Sequence, residues 1–500
     1  MPVLILKGSY YEMGYQYGQQ AGEGICARKN LWWGRGIRNF NSRERVIREA
    51  QRYESEVKKT APELIDIMQG IADGATSSGH ALDYMDILVL NIAKALRNRE
   101  GEAYPPDSGC GHIHAWGTTT KDGKLICTDN RDEEFTSQLA VIYLPEQGNA
   151  FFTAADMGQI ACHPVMNHKG VFIGASSGSA RQEDMAQYGV PRPLALAHLG
   201  FTVNSAVEAK DWLASHSTNW SNGINYSTSD VTGNAFVLET TPTTAVVRKP
   251  GDFGEVNFIF ATNNALTREG RKAGDDFGDN AEPRNEQVFN FLRNYQGKID
   301  REFLKMMYRN PGCPGLGNHT NNRIVIAKPD NGHRGLAYIC TGGAIRNPTI
   351  YYPMIEAWSI ALPIHPTYSF FELALAESPA EIVAAAQKKA ERCLIGTHVE
   401  LNKKSYGNPE FTPLSAIFSE AKKEYFRGMA AEANAMASKA RQELYYSSRA
   451  ATAYTRCQAL AEHVYEELVP EARATTPEDL GYATPKRFIR FNRPPHETRW

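Results

Sequence analysis

The sequence predicts an α+β fold in which helices and strands fall in separate blocks. Three observations predict it. The first hundred residues carry helix-period apolar patterning, and the stretch from Cys110 to about residue 265 carries short strand-period runs broken by turn residues. Beyond about residue 370 the chain is long, Ala-rich and helical. The regular strand–helix alternation of a parallel α/β sheet is not there, and 500 residues exceed one ordinary core, so two or three structural units are expected.

The opening apolar run before Lys7 reads as a strand; it has no basic segment ahead of it, so no signal peptide is expected and a cytoplasmic location is. In "KGSYYEMGYQYG", Gly8, Gly14 and Gly18 are spaced so that a helix can pack closely on its neighbour. "RERVIREAQRYESEVKKTAPELIDIMQGIADGA" is amphipathic, with Pro62 at a first-turn position of its second half, and "ALDYMDILVLNIAKAL" forms another helix. "HIHAWGTTTKDGKLICTDN" is two β-runs across a Lys-Asp-Gly turn. "SQLAVIYLPEQGNAFFTAAD" is a second hairpin, and "KGVFIGASS" is a further strand. Helical "RPLALAHLGFTVNSAVEAKDWLASH" precedes two strands expected in "INYSTSDVTGNAFVLETTPTTAVVRKPG". "NNRIVIAKPDNGHRGLAYICTGG" closes the strand-rich part as a late hairpin.

Composition narrows the function classes. Lys+Arg 54 against Asp+Glu 56 leaves almost no net charge, so neither nucleic acid nor a membrane surface is expected as a partner. The exception is the basic, aromatic tail "KRFIRFNRPPHETRW", which reads as a solvated or subunit-packed end. No window approaches eighteen apolar residues, which excludes a membrane-spanning helix. The eight cysteines are scattered without a C-x-x-C pair, which argues for reduced thiols and against a structural zinc site.

The chemistry concentrates in "SGCGHIHAWG". Cys110, His112 and His114 alternate along a strand and so share one face. Three readings stand on these residues alone. They form a packed strand, a zinc site completed by Asp129 or Asp132, or a nucleophile with its surroundings.

Over about the first 360 residues the chain resembles the acyl-coenzyme A:6-aminopenicillanate acyltransferase family (peptidase C45) of the Ntn-hydrolase superfamily. "KGSYYEMGYQYG" is similar to the family's opening glycine motif, and "APELIDIMQGIADGA" with "DYMDILVLN" to its pro-segment helices. "GCGHIHAWGTTTKDGKLICTDNRD" resembles the Gly-Cys start of the mature subunit and its following hairpin. "PVMNHKGVFIGASS", "FTVNSAVEAKDWL", "INYSTSDVTGNAFVLE" and "FATNN" follow in the family's order. The resemblance implies an Ntn-hydrolase αββα sandwich with an added C-terminal helical region. It implies residues 1–109 as a helical pro-segment or small subunit, 110–370 as the core, and 371–500 as a helical extension with the basic tail.

It also implies a self-processing enzyme that needs no cofactor or metal. The thiol of Cys110 attacks the Gly109 carbonyl, and water opens the resulting thioester. Cys110 then carries a free α-amine, whose pKa of about 7.7–8.0 suits it as the general base. Asp132 matches the residue that holds this amine, and Asn263 the donor to the tetrahedral oxyanion. His112, Trp116, Asn225 and Tyr226 are the substrate-binding candidates. Three positions depart from the family pattern: Gly111 stands where Thr or Ser follows the nucleophile, Asp129 where an Arg precedes Asn-x-Asp, and Asn264 where the motif has His. The expected activity is hydrolysis of a small N-acyl or aminoacyl amide, or of a short peptide. The alternatives are transfer of the acyl group to an amine, and an unprocessed binding member. A homo-oligomer built through the helical extension is the expected assembly.

Overall fold

The computed structural model describes residues 3–98, 110–132, 138–178, 188–216, 223–273, 281–309, 321–331, 335–341, 370–374, 379–405, 412–436 and 440–469. Gly109 and the basic tail, both singled out by sequence, lie outside these residues.

The chain enters through β1 (Val3–Gly8) and turns into α1 (Tyr10–Phe40), which Ser9 and Glu12 start with a reciprocal capping box. The expected amphipathic stretch divides into α2 (Arg43–Thr60) and α3 (Glu63–Ser77), and α4 (Tyr84–Asn98) follows. The glycine spacing of α1 finds its partner in α3. A Cβ at Gly14 would stand 2.2 Å from the Ile67 carbonyl oxygen, and one at Gly74 would stand 2.0 Å from the Tyr15 carbonyl oxygen. The two helices therefore meet backbone to backbone.

The β-rich part builds two sheets. The Lys-Asp-Gly hairpin is β2 (Gly111–Ala115) and β3 (Ile126–Asp132), with Gly123 at φ 71° in the turn and His112 paired with Asp129. The second hairpin is β4 (Gln138–Pro145) and β5 (Phe151–Asp156), followed by the short β6 (Val165–Asn167) and by β7 (Val171–Gly178). The expected helical stretch forms α5 (Arg192–Thr202) and α6 (Ala206–Ser215). The stretch expected to give two strands gives three, β8 (Gly223–Asp230), β9 (Ala235–Thr240) and β10 (Ala245–Arg248). A tight turn, closed by Thr241 N–H donating to the Thr244 carbonyl at 2.8 Å, folds the third strand back on the second.

After β11 (Phe258–Ala261) come three helices that sequence did not anticipate, α7 (Arg268–Ala273), α8 (Ala281–Asn294) and α9 (Arg301–Arg309). The late hairpin is β12 (Asn321–Lys328) and β13 (Leu336–Thr341), and β14 (Phe370–Ala374) adds to its edge. The larger sheet runs β1-β4-β5-β6-β7-β8-β9-β10, the smaller β11-β2-β3-β12-β13-β14.

Burial orders these elements into layers. On one side α1 to α6 bury their apolar faces against the larger sheet, through Leu139, Val141, Ile173, Tyr226 and Leu238. On the other side α8 and α9 cover the smaller sheet through Ile113, Ala115, Phe260 and Ile324. The inner faces meet through Ile142, Phe152, Phe172, Val325 and Ile339. The same apolar cluster takes in the C-terminal helices α10 (Pro379–Ser405), α11 (Thr412–Met436) and α12 (Ala440–Leu468). The molecule is thus α+β, with helix, sheet, sheet and helix in succession. Ser448 and Thr452 of α12 both donate to the Val3 carbonyl at 2.9 Å, fastening the helical extension to the first strand. Among the described residues no helix is long and apolar enough to cross a membrane.

Candidate functional site

Cys110 immediately precedes β2 and is only 3% exposed. Antiparallel pairing of β11 with β2 sets Ala261 against His112, which carries the next residues of that strand back toward Cys110. The link is completed by Arg284 of α8. Its Nη2 donates to the Cys110 carbonyl at 2.8 Å, and its Nη1 donates to Asn263 Oδ1 at 3.0 Å. The same guanidinium lies 3.9 Å from Asp132 Oδ2. One arginine therefore gathers the three residues expected to be catalytic. Asn263 is further oriented by donating from Nδ2 to the Ser177 carbonyl at 2.6 Å.

Asp132 is fully buried, and Asn130 Nδ2 donates to both of its oxygens at 3.1 Å. Burial pushes its carboxyl up to about 7, although Arg284 and Asn130 both act to lower it. It therefore titrates near neutrality.

On the side of the thiol stands a second pair. Cys110 Sγ is 4.0 Å from His163 Nε2, and His163 Nδ1 is 2.6 Å from Asp129 Oδ1. Both side chains of this pair are inaccessible to solvent. The other Asp129 oxygen accepts from the Ala175 N–H at 3.2 Å, and Arg323 Nη2 donates to the His163 carbonyl at 2.5 Å. A Cβ at position 174 would stand 3.1 Å from Asp129 Oδ2, so Gly174 leaves the carboxylate its room.

Behind the pair lies a buried ionic cluster. Asp156 accepts from Arg28 Nη2 at 3.2 Å and from both terminal nitrogens of Arg131, and Arg323 Nη1 is 4.0 Å away. Burial alone would raise the Asp156 carboxyl, but these arginines outweigh it and hold it well below the usual carboxylate range. Cys162 feels the same cations. Burial raises its thiol, and Arg131, Arg323 and Arg192 more than reverse this, leaving it at about 7. The region between the sheets is consequently rich in fixed positive charge that favours anionic side chains.

The substrate-binding candidates are distributed unevenly. His112 points between the sheets, with Nδ1 2.5 Å from Ser227 Oγ and Nε2 3.2 Å from Ser176 Oγ. Burial drives it down to about 3, so it is a neutral hydrogen-bonding bridge at physiological pH. His114 is likewise buried and pushed well below its usual value, its ring edge-on to Phe172 at 5.1 Å. Asn225 donates to the Thr262 carbonyl at 2.9 Å, one residue from Asn263. Trp116 is half-buried and packs against a small cluster of Ala235 and Val237 on β9 with Ile259 and Ala261 on β11. Tyr226 faces the other way, into the helix-covered side of the larger sheet, because strand alternation separates it from Asn225 and Ser227. As to the zinc reading, His112 is engaged with two serines, Asp129 with His163 and Asp132 with Asn130, while both ring nitrogens of His114 are buried without a hydrogen-bond partner among the described residues. Among the described residues no group of three or more His, Cys, Asp or Glu is arranged to hold a metal.

Sequence reasoning missed Arg284, His163 and the Arg28–Arg131–Asp156–Arg323 cluster. A charged residue at the head of an apolar strand, as in "NNRIVIAK", and the Cys-His doublet in "QIACHPVM" were the available signals. Neither connects to Cys110 by spacing, since His163 is 53 residues away and Arg323 lies further still along the chain.

No family model matches the chain. An uncharacterized protein from Archaeoglobus fulgidus is 26% identical over an alignment of 195 positions that covers 34% of this chain and 31% of that protein. The match thus spans about a third of the relative's length. Among solved structures, penicillin V acylase from Agrobacterium tumefaciens is 11% identical with a TM-score of 0.30, over 46% of this chain and 83% of its own. The Caenorhabditis elegans ortholog of N-acylethanolamine-hydrolyzing acid amidase is 12% identical with a TM-score of 0.34, over 44% and 93%. A mutant of conjugated bile acid hydrolase from Clostridium perfringens is 14% identical with a TM-score of 0.32, over 46% and 89%. This chain is similar to these proteins at that level, and what its site does follows from its own residues.

Proposed function

We propose that the protein is a thiol-dependent amidohydrolase with Cys110 as nucleophile, acting on a small N-acyl or aminoacyl amide. The observation that carries this reading is the Arg284 bridge, which ties the Cys110 carbonyl to the Asn263 side chain in a buried site. Holding the Cys110 backbone and the Asn263 side chain on one guanidinium supports acyl transfer, which needs an amide donor near the place where the oxyanion forms.

In the first step the Cys110 thiolate attacks the substrate carbonyl carbon. Asn263 donates an N–H to the developing oxyanion; its amide has two, and one goes to Ser177. The C–N bond then breaks as the amine leaves with a proton, giving a thioester on Cys110. Water adds to that thioester and releases the acid and the thiol. The same thiol acting on the Gly109–Cys110 bond would free the Cys110 α-amine, which Asp132 then holds.

Intact-mass analysis of the purified chain tests the reading. Fragments of residues 1–109 and 110–500, lost in Cys110→Ala, are expected, together with turnover in a panel of N-acyl amino acids, acyl amines and short peptides. A single 55.5 kDa species inert towards that panel would overturn it. Added amines that divert product from free acid to new amide would move the assignment to acyl transfer.

A further inference from the structure

We infer that His163, held by Asp129, is the base that takes the thiol proton of Cys110, so that this thiol is activated by a side chain present in the uncleaved chain. The inference rests on Cys110 being the nucleophile and goes beyond it. An α-amine base exists only after cleavage, whereas His163 lies 4.0 Å from Sγ in the intact chain. Contacts of this kind are commonly long without substrate and tighten when it binds.

The arrangement has the three parts an activated nucleophile needs: an attacking atom, a base within reach, and a group that orients the base. His163 Nε2 faces sulfur and Nδ1 faces Asp129 at 2.6 Å, so the carboxylate selects the orientation of the ring. The Ala175 N–H and the space left by Gly174 position Asp129 in turn. Asp129 is a positioning residue in this scheme, because it acts on sulfur only through the ring. Its presence where the resembled family carries arginine is then a change of chemistry, an acid that supports a histidine.

The step balances within the site. The Sγ–H bond breaks, its proton forms the Nε2–H bond, and the electron pair stays on sulfur. The proton on Nδ1 remains shared with Asp129. When the tetrahedral adduct collapses, the Nε2 proton leaves on the departing amine nitrogen.

The charged and titratable groups around the pair and its thiol are Arg131 on β3, Asp156 on β5, Arg192 on α5, Arg323 on β12, Arg28 on α1, the adjacent Cys162, and Arg284 on α8 at the Cys110 carbonyl. Together Cys110, His163 and Asp129 hold three protons when they carry no net charge, and the reactive form has lost one of them. Burial holds the Asp129 carboxyl well above its usual range, which keeps the extra proton bound, while Arg323 and Arg192 oppose it. The arginines thus act against the burial penalty on the single negative charge of the reactive form without cancelling it.

Alkylation of Cys110 by iodoacetamide in the full-length chain, followed by peptide mass spectrometry from pH 5 to 10, tests the inference. The peptide spanning residues 109 and 110 reports uncleaved chain, and the peptide beginning at Cys110 reports cleaved chain. Rates are taken relative to the pH 10 ceiling, which removes differences in access. Wild type is expected to reach half its ceiling at least one pH unit below the roughly 8.5 of a free thiol. His163→Gln is expected to slow relative alkylation at pH 7 at least tenfold, and Asp129→Asn to act in the same direction by less. A wild-type profile like that of a free thiol, or one unmoved by His163→Gln, would overturn the inference, and the first outcome needs no variant to fold. Because the readout is the thiol and not turnover, an inert chain with the expected alkylation profile would sink the amidohydrolase reading alone.

Discussion

Arg284 Nη2 donates to the carbonyl oxygen of Cys110 at 2.8 Å, across 174 residues of chain, while its Nη1 holds the side chain of Asn263. Removing this bridge should spoil alignment and leave the fold largely intact, since the arginine is partly exposed. Arg284→Ala is expected to lower kcat/KM by about 10²-fold or more, in the range seen for loss of an oxyanion donor. Asn263→Ala should fall in the same range, and the double variant should lose less than the product of the two, because they act as one unit. Steady-state kinetics on the best substrate checks this; independent, multiplicative effects would contradict it.

Asp132 predicts a pH dependence of stability. Its carboxyl is raised from 3.8 to about 7 by burial, so the folded chain binds its proton more tightly than the unfolded chain does. That contribution is complete below pH 4 and is lost as pH rises through 7. In a Cys110→Ala background, which keeps the chain uncleaved, adding Asp132→Asn should leave stability unchanged at pH 4. At pH 8 it should raise stability, by about 4 kcal/mol at most, at 1.36 kcal/mol per unit. Urea unfolding at the two pH values reads the difference directly.

The buried cluster around Asp156 predicts the opposite sign. Its carboxyl is held low by arginines that remain charged and inaccessible when it is removed. Asp156→Ala should destabilise the chain by about 3–5 kcal/mol, as for other buried ion pairs that lose one partner. A melting temperature within error of wild type would show that the arginines find other partners.

Close approach of α1 and α3 predicts intolerance of a single methyl group. Gly14→Ala places a Cβ 2.2 Å from the Ile67 carbonyl oxygen, which is backbone and cannot rotate away. The helices must separate, at a cost of about 1–3 kcal/mol. Gly34→Ala, on the same helix with nothing within 4 Å of the added carbon, is the control and should be neutral or stabilising.

If cleavage follows Gly109, the two fragments should stay together. β1 lies in register with β4 from Val3 opposite Ala140 to Gly8 opposite Pro145, and Arg28 is buried against Asp156. Both belong to the N-terminal fragment and both reach into the larger one. Gel filtration in native buffer should show one peak containing both fragments, separable only in denaturant; separate native elution would refute this.

Much of the architecture was legible because short-range pattern controls it. Alternation in "HIHAWG" and the Lys-Asp-Gly turn determine β2 and β3, and the period of "RERVIREAQRY" determines α2. Where reading stopped, the local pattern was mixed. β6 is three residues long, and α7 to α9 interrupt a run whose turns and apolar positions point to no single period. Tyr226 illustrates the limit for sites: it and Asn225 were both substrate-binding candidates, but successive residues on a strand point to opposite faces.

By itself the sequence determined that this is an α+β chain with Cys110 at the head of a strand; Asp132 and Asn263 entered as expected partners of that cysteine only through the family resemblance. Only the tertiary structure decided what surrounds the thiol. His163 reaches it from the larger sheet, Asp129 from the paired strand, Arg284 from a helix on the outer face, and Arg323 from a later strand. Each of these contacts joins residues far apart in the chain, where no periodicity connects them. They arise because two sheets close over a polar interior whose charges must find one another once water is excluded.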